Sequence, residues 1–231
     1  MTALLDPDLL LRAYAIGVFP MADSREAKEV FWVEPRRRAI MPIEGFHFSR
    51  SLRRTVRSGA FAVTRDTAFP EVMIRCSERQ ETWINEPIKE SFAELHRLGH
   101  AHSIECWQEG ELVGGLYGVK LGGAFFGESM FSLRTDASKV ALAWLVARLR
   151  VGGYRLLDCQ FMTEHLRSLG AVEITQAAYV SMLSSALSSS GSAGGGTEFG
   201  ALERLLGSAP SRTVDSAASG CVIAQLLGQT S

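Results

Sequence analysis

The sequence predicts an α+β protein: a small N-terminal unit of mixed helices and strands, then a larger unit built on an antiparallel meander. Three observations predict it. Up to about Gly99, short helical segments alternate with brief strand-like runs punctuated by Pro and Gly; from Ala101 the hydrophobic period becomes that of strands. Three strand-like runs follow in series, separated by Glu109-Gly110 and Gly122-Gly123, both hairpin signals. The chain then passes into a long helix, an apolar strand and a short helix, which is an α+β order.

Each element has a local reason. Asp6-Pro7 ahead of Leu9, Leu10, Ala13 and Ile16 predicts a capped helix with proline in its first turn, closed by Gly17. Phe19-Pro20, Phe31-Trp32 and Glu34-Pro35 predict short strands and turns between Val18 and Pro42. Ser49 caps a helix that runs to Ser58 and stops at Gly59. A strand over Phe61–Thr64, a helix over Phe69–Ser77 and a helix opened by Glu86-Pro87 and closed by Gly99 complete this part. The meander spans Ser103–Gln108, Leu112–Lys120 and Ala124–Phe131. A helix over Asp136–Gly153, a strand over Leu156–Cys159, a helix from Thr163 to near Gly170 and a strand over Val172–Ile174 follow. After about Ser184 the composition collapses to Ser, Gly and Ala, and Ser188–Gly196 reads as linker. Phe199–Leu206 is expected as a short helix and Cys221–Leu227 as a docking strand. The expected division is 1–60, a small N-terminal domain; 61–184, the larger domain; and 185–231, a partly linker-like tail.

Composition narrows the function. The 231 residues are 46% hydrophobic and 21% charged with net charge −1, an ordinary globular balance that argues against a wholesale polyanion binder. Yet Arg36–Arg57 holds seven arginines and a single acid, Glu44, so one patch suits an anionic partner. Cys76, Cys106, Cys159 and Cys221 show no CxxC spacing, and His96, His100 and His102 lack accompanying ligands, so reduced thiols and no metal or other cofactor are expected. With no signal-like N-terminus and no apolar run near the roughly 20 residues that span a bilayer, a cytoplasmic protein without a membrane partner is expected.

Leu156-Leu157-Asp158-Cys159-Gln160 is an apolar run that ends by presenting an acid and an amide two residues apart, hence on one face of a strand. A polar pair at the C-terminal end of a strand between helices is where such folds hold reactive groups, or else a structural acid holding a turn. Arg50, Arg53, Arg54 and Arg57 fall at i, i+3, i+4 and i+7, while Leu52 and Val56 occupy another face. Four uninterrupted like charges repel by a few tenths of a kcal/mol per pair, which a phosphate backbone would offset. Trp32 and Trp83 sit beside turn residues and suit base stacking, although a tryptophan is more often a core residue. Glu128 interrupts an apolar strand; it either orients a substrate amine or is a structural acid tied to an arginine. Met130, Phe126, Leu142, Leu145 and Leu157 are expected around a common apolar volume, with the composition of a pocket or of a plain core. Ser132–Ala137 lacks the glycine turn that coenzyme A-dependent acyltransferases place at a helix start, which disfavours such a donor.

The chain resembles the leucyl/phenylalanyl-tRNA–protein transferase family in Ala13–Pro20, Glu81–Ile84, Leu98–Glu105, Leu112–Val119, Gly127–Ser132, Leu157–Gln160 and Ser168–Ala171. These matches run in order from about residue 4 to residue 182. The resemblance implies an acyltransferase-like (GNAT-type) C-terminal domain, in keeping with the meander order. It implies transfer of leucine or phenylalanine from aminoacyl-tRNA to the N-terminal Arg or Lys of acceptor proteins, marking them for N-end rule degradation. It further implies Asp158 and Gln160 as the catalytic pair with Glu128 as the strand acid, Trp32 and Trp83 around the 3′ adenosine, Met130 with its apolar neighbours as the side-chain pocket, and the arginine helix against the tRNA backbone. Phe92 stands where relatives can have tyrosine, and Phe31 or Val33 where some have a second aromatic. The mechanism expected is that Asp158 polarises Gln160, whose side-chain oxygen accepts or relays the amine proton, with Asp158 supplying the basicity directly or through a water, while Glu128 steers the cationic N-terminus. Because each methylene discriminates by only about 1–3 kcal/mol, tolerance of Leu, Phe and Met is expected. The alternatives are an inactive tRNA- or peptide-binding module and a coenzyme A-dependent N-acetyltransferase.

Overall fold

The computed structural model describes residues 5–188, 197–207 and 216–228. Helix α1 (Pro7–Ala15) starts where Asp6 Oδ1 accepts the backbone N–H of Leu9 at 2.9 Å and Pro7 takes a position whose N–H would be unpaired anyway. It ends at Gly17, φ +84°, where Tyr179 Cε1 stands 2.9 Å from the place of a Cβ, so only glycine fits without a shift. Strands β1 (Phe19–Met21) and β2 (Phe31–Val33) make a small antiparallel sheet.

The main sheet has seven strands: β3 (Arg37–Ile40), β4 (Ala62–Arg65), β5 (Ala101–Gln108), β6 (Glu111–Leu121), β7 (Ala124–Ser132), β8 (Leu156–Gln160) and β9 (Val172–Thr175). Their order is β4-β5-β6-β7-β8-β3-β9, so β3, which lies within the N-terminal sixty residues, is threaded between two late strands. Every pairing is antiparallel except β7 with β8, whose parallel register Ala124↔Leu156, Phe125↔Leu157, Phe126↔Asp158 needs the crossover helix α5 (Ala137–Val151). That ladder stops at Phe126/Asp158.

Helices cover both faces. Helix α2 (Arg50–Ser58), capped by Ser49 and closed by left-handed Gly59, buries Leu52 and Val56 beside α5. Helices α3 (Phe69–Ser77), α4 (Glu86–Arg97) and α7 (Gln176–Ser188) pack with α1 on the other face, around Phe69, Phe92, Tyr117, Phe126 and Tyr179. Between these in sequence stands α6 (Glu164–Ser168). His96 stacks on Phe69 with ring centroids 4.1 Å apart, and His102 bonds Asp66 at 2.7 Å, so both serve packing and polar pairing at the sheet edge.

Two expectations change. Cys221–Leu227 is not a strand but part of helix α9 (Ser216–Gly228), whose buried Ser219, Gly220, Ile223, Ala224 and Leu227 recur at helical spacing. Helix α7 extends to Ser188, past the point where the Ser-rich composition suggested linker, because Tyr179, Leu183 and Ala186 form a buried stripe. The remainder of the linker-like run, 189–196, lies outside the described residues. The tail is anchored: Arg148 on α5 donates to Glu203 of α8 (Ala201–Leu206) at 2.7 and 2.5 Å, and Phe199 stacks on Phe125.

Candidate active site

The site lies where β7 and β8 part. On β6, Tyr117 pairs with Ser129 and the next residue, Gly118, with Gly127, so Glu128 is the extra residue of a β-bulge. The bulge requires glycine opposite, since a Cβ on Gly118 would stand 2.2 Å from the Phe126 carbonyl oxygen. It also inverts the alternation of β7. Phe126 and Met130, four residues apart, point to opposite faces: Phe126 packs on Tyr14 with centroids 4.8 Å apart, while Met130 joins the α5 side. The expected placement of Phe126 in the pocket is therefore corrected. Met130, Leu142, Leu145 and Leu157 do share one cavity, of about 760 Å³, with Trp83, Tyr117, Glu128 and Gln160.

Asp158 is fully buried and bound on every side. Arg38 Nε donates to Oδ1 at 2.9 Å and Oδ2 at 3.1 Å, and its Nη2 to Oδ2 at 2.5 Å. The Tyr179 hydroxyl donates to Oδ2 at 2.7 Å, and the backbone N–H of Gln160 to Oδ1 at 2.8 Å. Arg38 is held in turn by the Gly17 carbonyl at 2.9 Å and lies between the rings of Phe19 and Tyr179, 4.7 and 4.4 Å from their centroids. Burial and the Asp158 charge push the Tyr179 phenol up, so it stays a donor. Asp158 thus meets Gln160 through the backbone, not through the side-chain amide as expected. It fixes Gln160 in its left-handed conformation, φ +61°, an unusual one for a side chain of this size.

The Gln160 amide turns instead to Glu128, its Nε2 donating to Oε1 at 3.0 Å. The Tyr14 hydroxyl donates to the same Oε1 at 2.8 Å. Glu128 Oε2 is buried and has no hydrogen-bond partner among the described residues, and nor has the Tyr117 hydroxyl. Desolvation pushes the Glu128 carboxyl up to about 7; Asp158 adds to the rise, while Tyr14, Gln160 and Arg38 pull it back.

A second cavity of about 760 Å³ adjoins the first and shares Glu78, Arg79 and Trp83 with it; Met21, Phe31 and Thr82 also line it. Trp83 therefore stands at both cavities. Trp32 lines neither: adjacent residues on β2 face opposite ways, and it is Phe31 that looks into the second cavity. Arg50, Arg53, Arg54 and Arg57 are all exposed on α2, and among the described residues none has an acid within salt-bridge distance. No cluster of three His, Cys, Asp or Glu suited to a metal ion occurs among the described residues. Sequence reasoning missed Tyr14, Arg38 and Tyr179, which structure the site. Tyr14 lies in a stretch that carried the resemblance, and Arg38 was counted only as part of the arginine field.

A sequence model described as leucyl/phenylalanyl-tRNA protein transferase matches residues 40–184, and the N-terminal domain of the same transferase matches residues 3–36. The chain belongs to that family. The chain is 59% identical over 245 residues to the leucyl/phenylalanyl-tRNA–protein transferase of Rhizorhabdus wittichii, covering 98% of this chain and 99% of that protein. It is 60% identical over 193 residues to the enzyme of that name from Zymomonas mobilis (82% and 72%), and 63% over 187 residues to that from Paramagnetospirillum magneticum (79% and 90%). Among the described residues no helix is long and apolar enough to cross a membrane.

Proposed function

We propose that this protein is an aminoacyltransferase that moves leucine or phenylalanine, and with looser fit methionine, from aminoacyl-tRNA to the α-amine of proteins beginning with Arg or Lys, committing them to N-end rule degradation in the cytoplasm. The observation that carries this reading is the cavity at the parting of β7 and β8. It joins an apolar end, Met130, Leu142, Leu145 and Leu157, to a polar end, Glu128 and Gln160. The apolar end suits the donor side chain, and the parting parallel pair suits an acyltransferase-like, GNAT-type fold. The adjoining cavity, with Trp83 and Phe31, suits the 3′ adenosine, and the open arginine face of α2 suits the tRNA backbone. An aminoacyl ester is already activated, so the protein has to orient an amine against the carbonyl and manage its proton. Asp158, sealed behind Gln160 by Arg38 and Tyr179, is a positioning residue in this scheme.

The test is transfer of labelled leucine from Leu-tRNA to a peptide beginning with arginine, beside the same peptide beginning with alanine. Transfer to the arginine peptide alone is expected. No transfer with tRNA binding intact would leave an inactive binding module, and acetyl transfer from acetyl-coenzyme A would replace the reading.

A further inference from the structure

We infer that Glu128, not Asp158 or Gln160, is the base that takes the proton from the acceptor's α-ammonium group. This rests on the transfer reaction proposed above. Geometry eliminates the other two. Both oxygens of Asp158 are filled by Arg38, Tyr179 and the Gln160 backbone, and the carboxylate does not reach the cavity wall. Its partner Arg38 stays charged, so protonating Asp158 would strand a buried guanidinium. Gln160 is a neutral amide with negligible basicity. Glu128 lines the cavity and is lifted out of the β7 ladder by the bulge; Tyr14 and Gln160 hold Oε1, while Oε2, buried until the side chain turns toward an acceptor, has no partner among the described residues.

The groups around Glu128 are Tyr14 from α1, Tyr117 from β6, Asp158 and Gln160 from β8 and Arg38 from β3, with Arg75, Glu78, Arg79 and His165 on the same cavity. They leave its carboxyl at about 7, just below the ordinary α-amine at roughly 7.7–8.0, so the proton moves between near-matched partners. The ammonium gives one proton to Glu128 Oε2. The freed nitrogen lone pair forms a C–N bond to the ester carbonyl carbon. A second proton then passes from nitrogen to the ribose oxygen as the C–O bond breaks, giving the amide and a free ribose hydroxyl. Glu128 returns its proton to solvent.

The experiment measures kcat/KM for an arginine-starting peptide between pH 6 and pH 9, with Leu-tRNA saturating. In Glu128→Gln the amide oxygen can still accept from Tyr14 and Gln160, and only the free oxygen becomes NH2. The acceptor must then arrive neutral, so the defect is expected to shrink about tenfold between pH 6 and pH 8 and further above. Asp158→Asn keeps Glu128 but removes a charge that raises its carboxyl, so the rising limb should move to lower pH and the defect should not shrink between pH 6 and pH 8. A pH-independent defect in Glu128→Gln would overturn the inference, leaving Glu128 a binding group. If that variant does not fold, Tyr14→Phe serves: loss of its hydrogen bond raises the Glu128 carboxyl, and the rising limb should move to higher pH, whereas an unmoved limb overturns the assignment. Absence of transfer by the wild-type enzyme would instead sink the parent reading.

Discussion

Arg38→Met is the substitution whose cost follows most directly from the structure. It removes the three hydrogen bonds to Asp158, the bond to the Gly17 carbonyl and the guanidinium between Phe19 and Tyr179, while leaving an apolar chain of similar length. Asp158 keeps only the Tyr179 hydroxyl and the Gln160 N–H, and remains a buried anion without a cation. Breaking one side of a buried pair costs about 3–5 kcal/mol. For a chain of this size that is a fall in Tm of about 6–20 °C. Urea unfolding followed by far-UV circular dichroism measures it. Asp158→Asn should cost a comparable amount, because it leaves the guanidinium unpaired. The double variant should cost less than the two singles added, with a coupling of about 0.5–3 kcal/mol. A loss below about 1 kcal/mol for Arg38→Met, or strict additivity in the double variant, would refute the reasoning that this pair holds the site together.

Changing Arg50, Arg53, Arg54 and Arg57 together to Ala should raise the tRNA Kd and lower the slope of log K against log salt by about one for each arginine that touches a phosphate; an unchanged slope would exclude the face. Trp83→Ala should weaken donor binding by about 1–3 kcal/mol, measured by competition with aminoacyl-adenosine, whereas Trp32→Ala should leave it within twofold. Equal losses would contradict the cavity assignment. Glu128 also makes a stability claim. Its carboxyl is raised on folding from 4.5 to about 7, so the native state holds the extra proton and stability falls as pH rises across that window, by up to about 3 kcal/mol. Glu128→Gln should lack this decline, and parallel stability curves for the two proteins from pH 4.5 to pH 8 would contradict it.

Much of this was legible locally. Helices α1 and α2 announce themselves in Asp6-Pro7 and Ser49, because a cap and a turn residue act within four positions of the backbone they satisfy. Asp158, Gln160 and Glu128 stood out because a polar group in an apolar strand needs a partner. The identity of that partner was not legible. Arg38, Tyr179 and Tyr14 reach the site from β3, α7 and α1, and nothing near them in sequence distinguishes them from their neighbours. Phe126 was misplaced for a different reason: one extra residue at Glu128 reverses every side chain that follows, and strict alternation cannot foresee a bulge. Residues 221–227 read as a strand yet belong to helix α9, because a short apolar run does not separate the two periods.

The threading of β3 between β8 and β9 sets a clock on the nascent chain. Arg38 leaves the ribosome 120 residues ahead of Asp158. At about 5–20 residues per second, that is an interval of roughly 6–24 s. Throughout it, β3 has neither of its neighbours, and the Arg38 guanidinium has no carboxylate to meet. Strand β9 and the Tyr179 hydroxyl on α7 arrive later still. A chain interrupted before α7 would have the arginine helix, Trp83 and Arg38 already made, yet Asp158 would lack the Tyr179 hydroxyl. On the proposed function, the groups assigned to tRNA are thus synthesised before the last hydrogen bond that fixes Asp158.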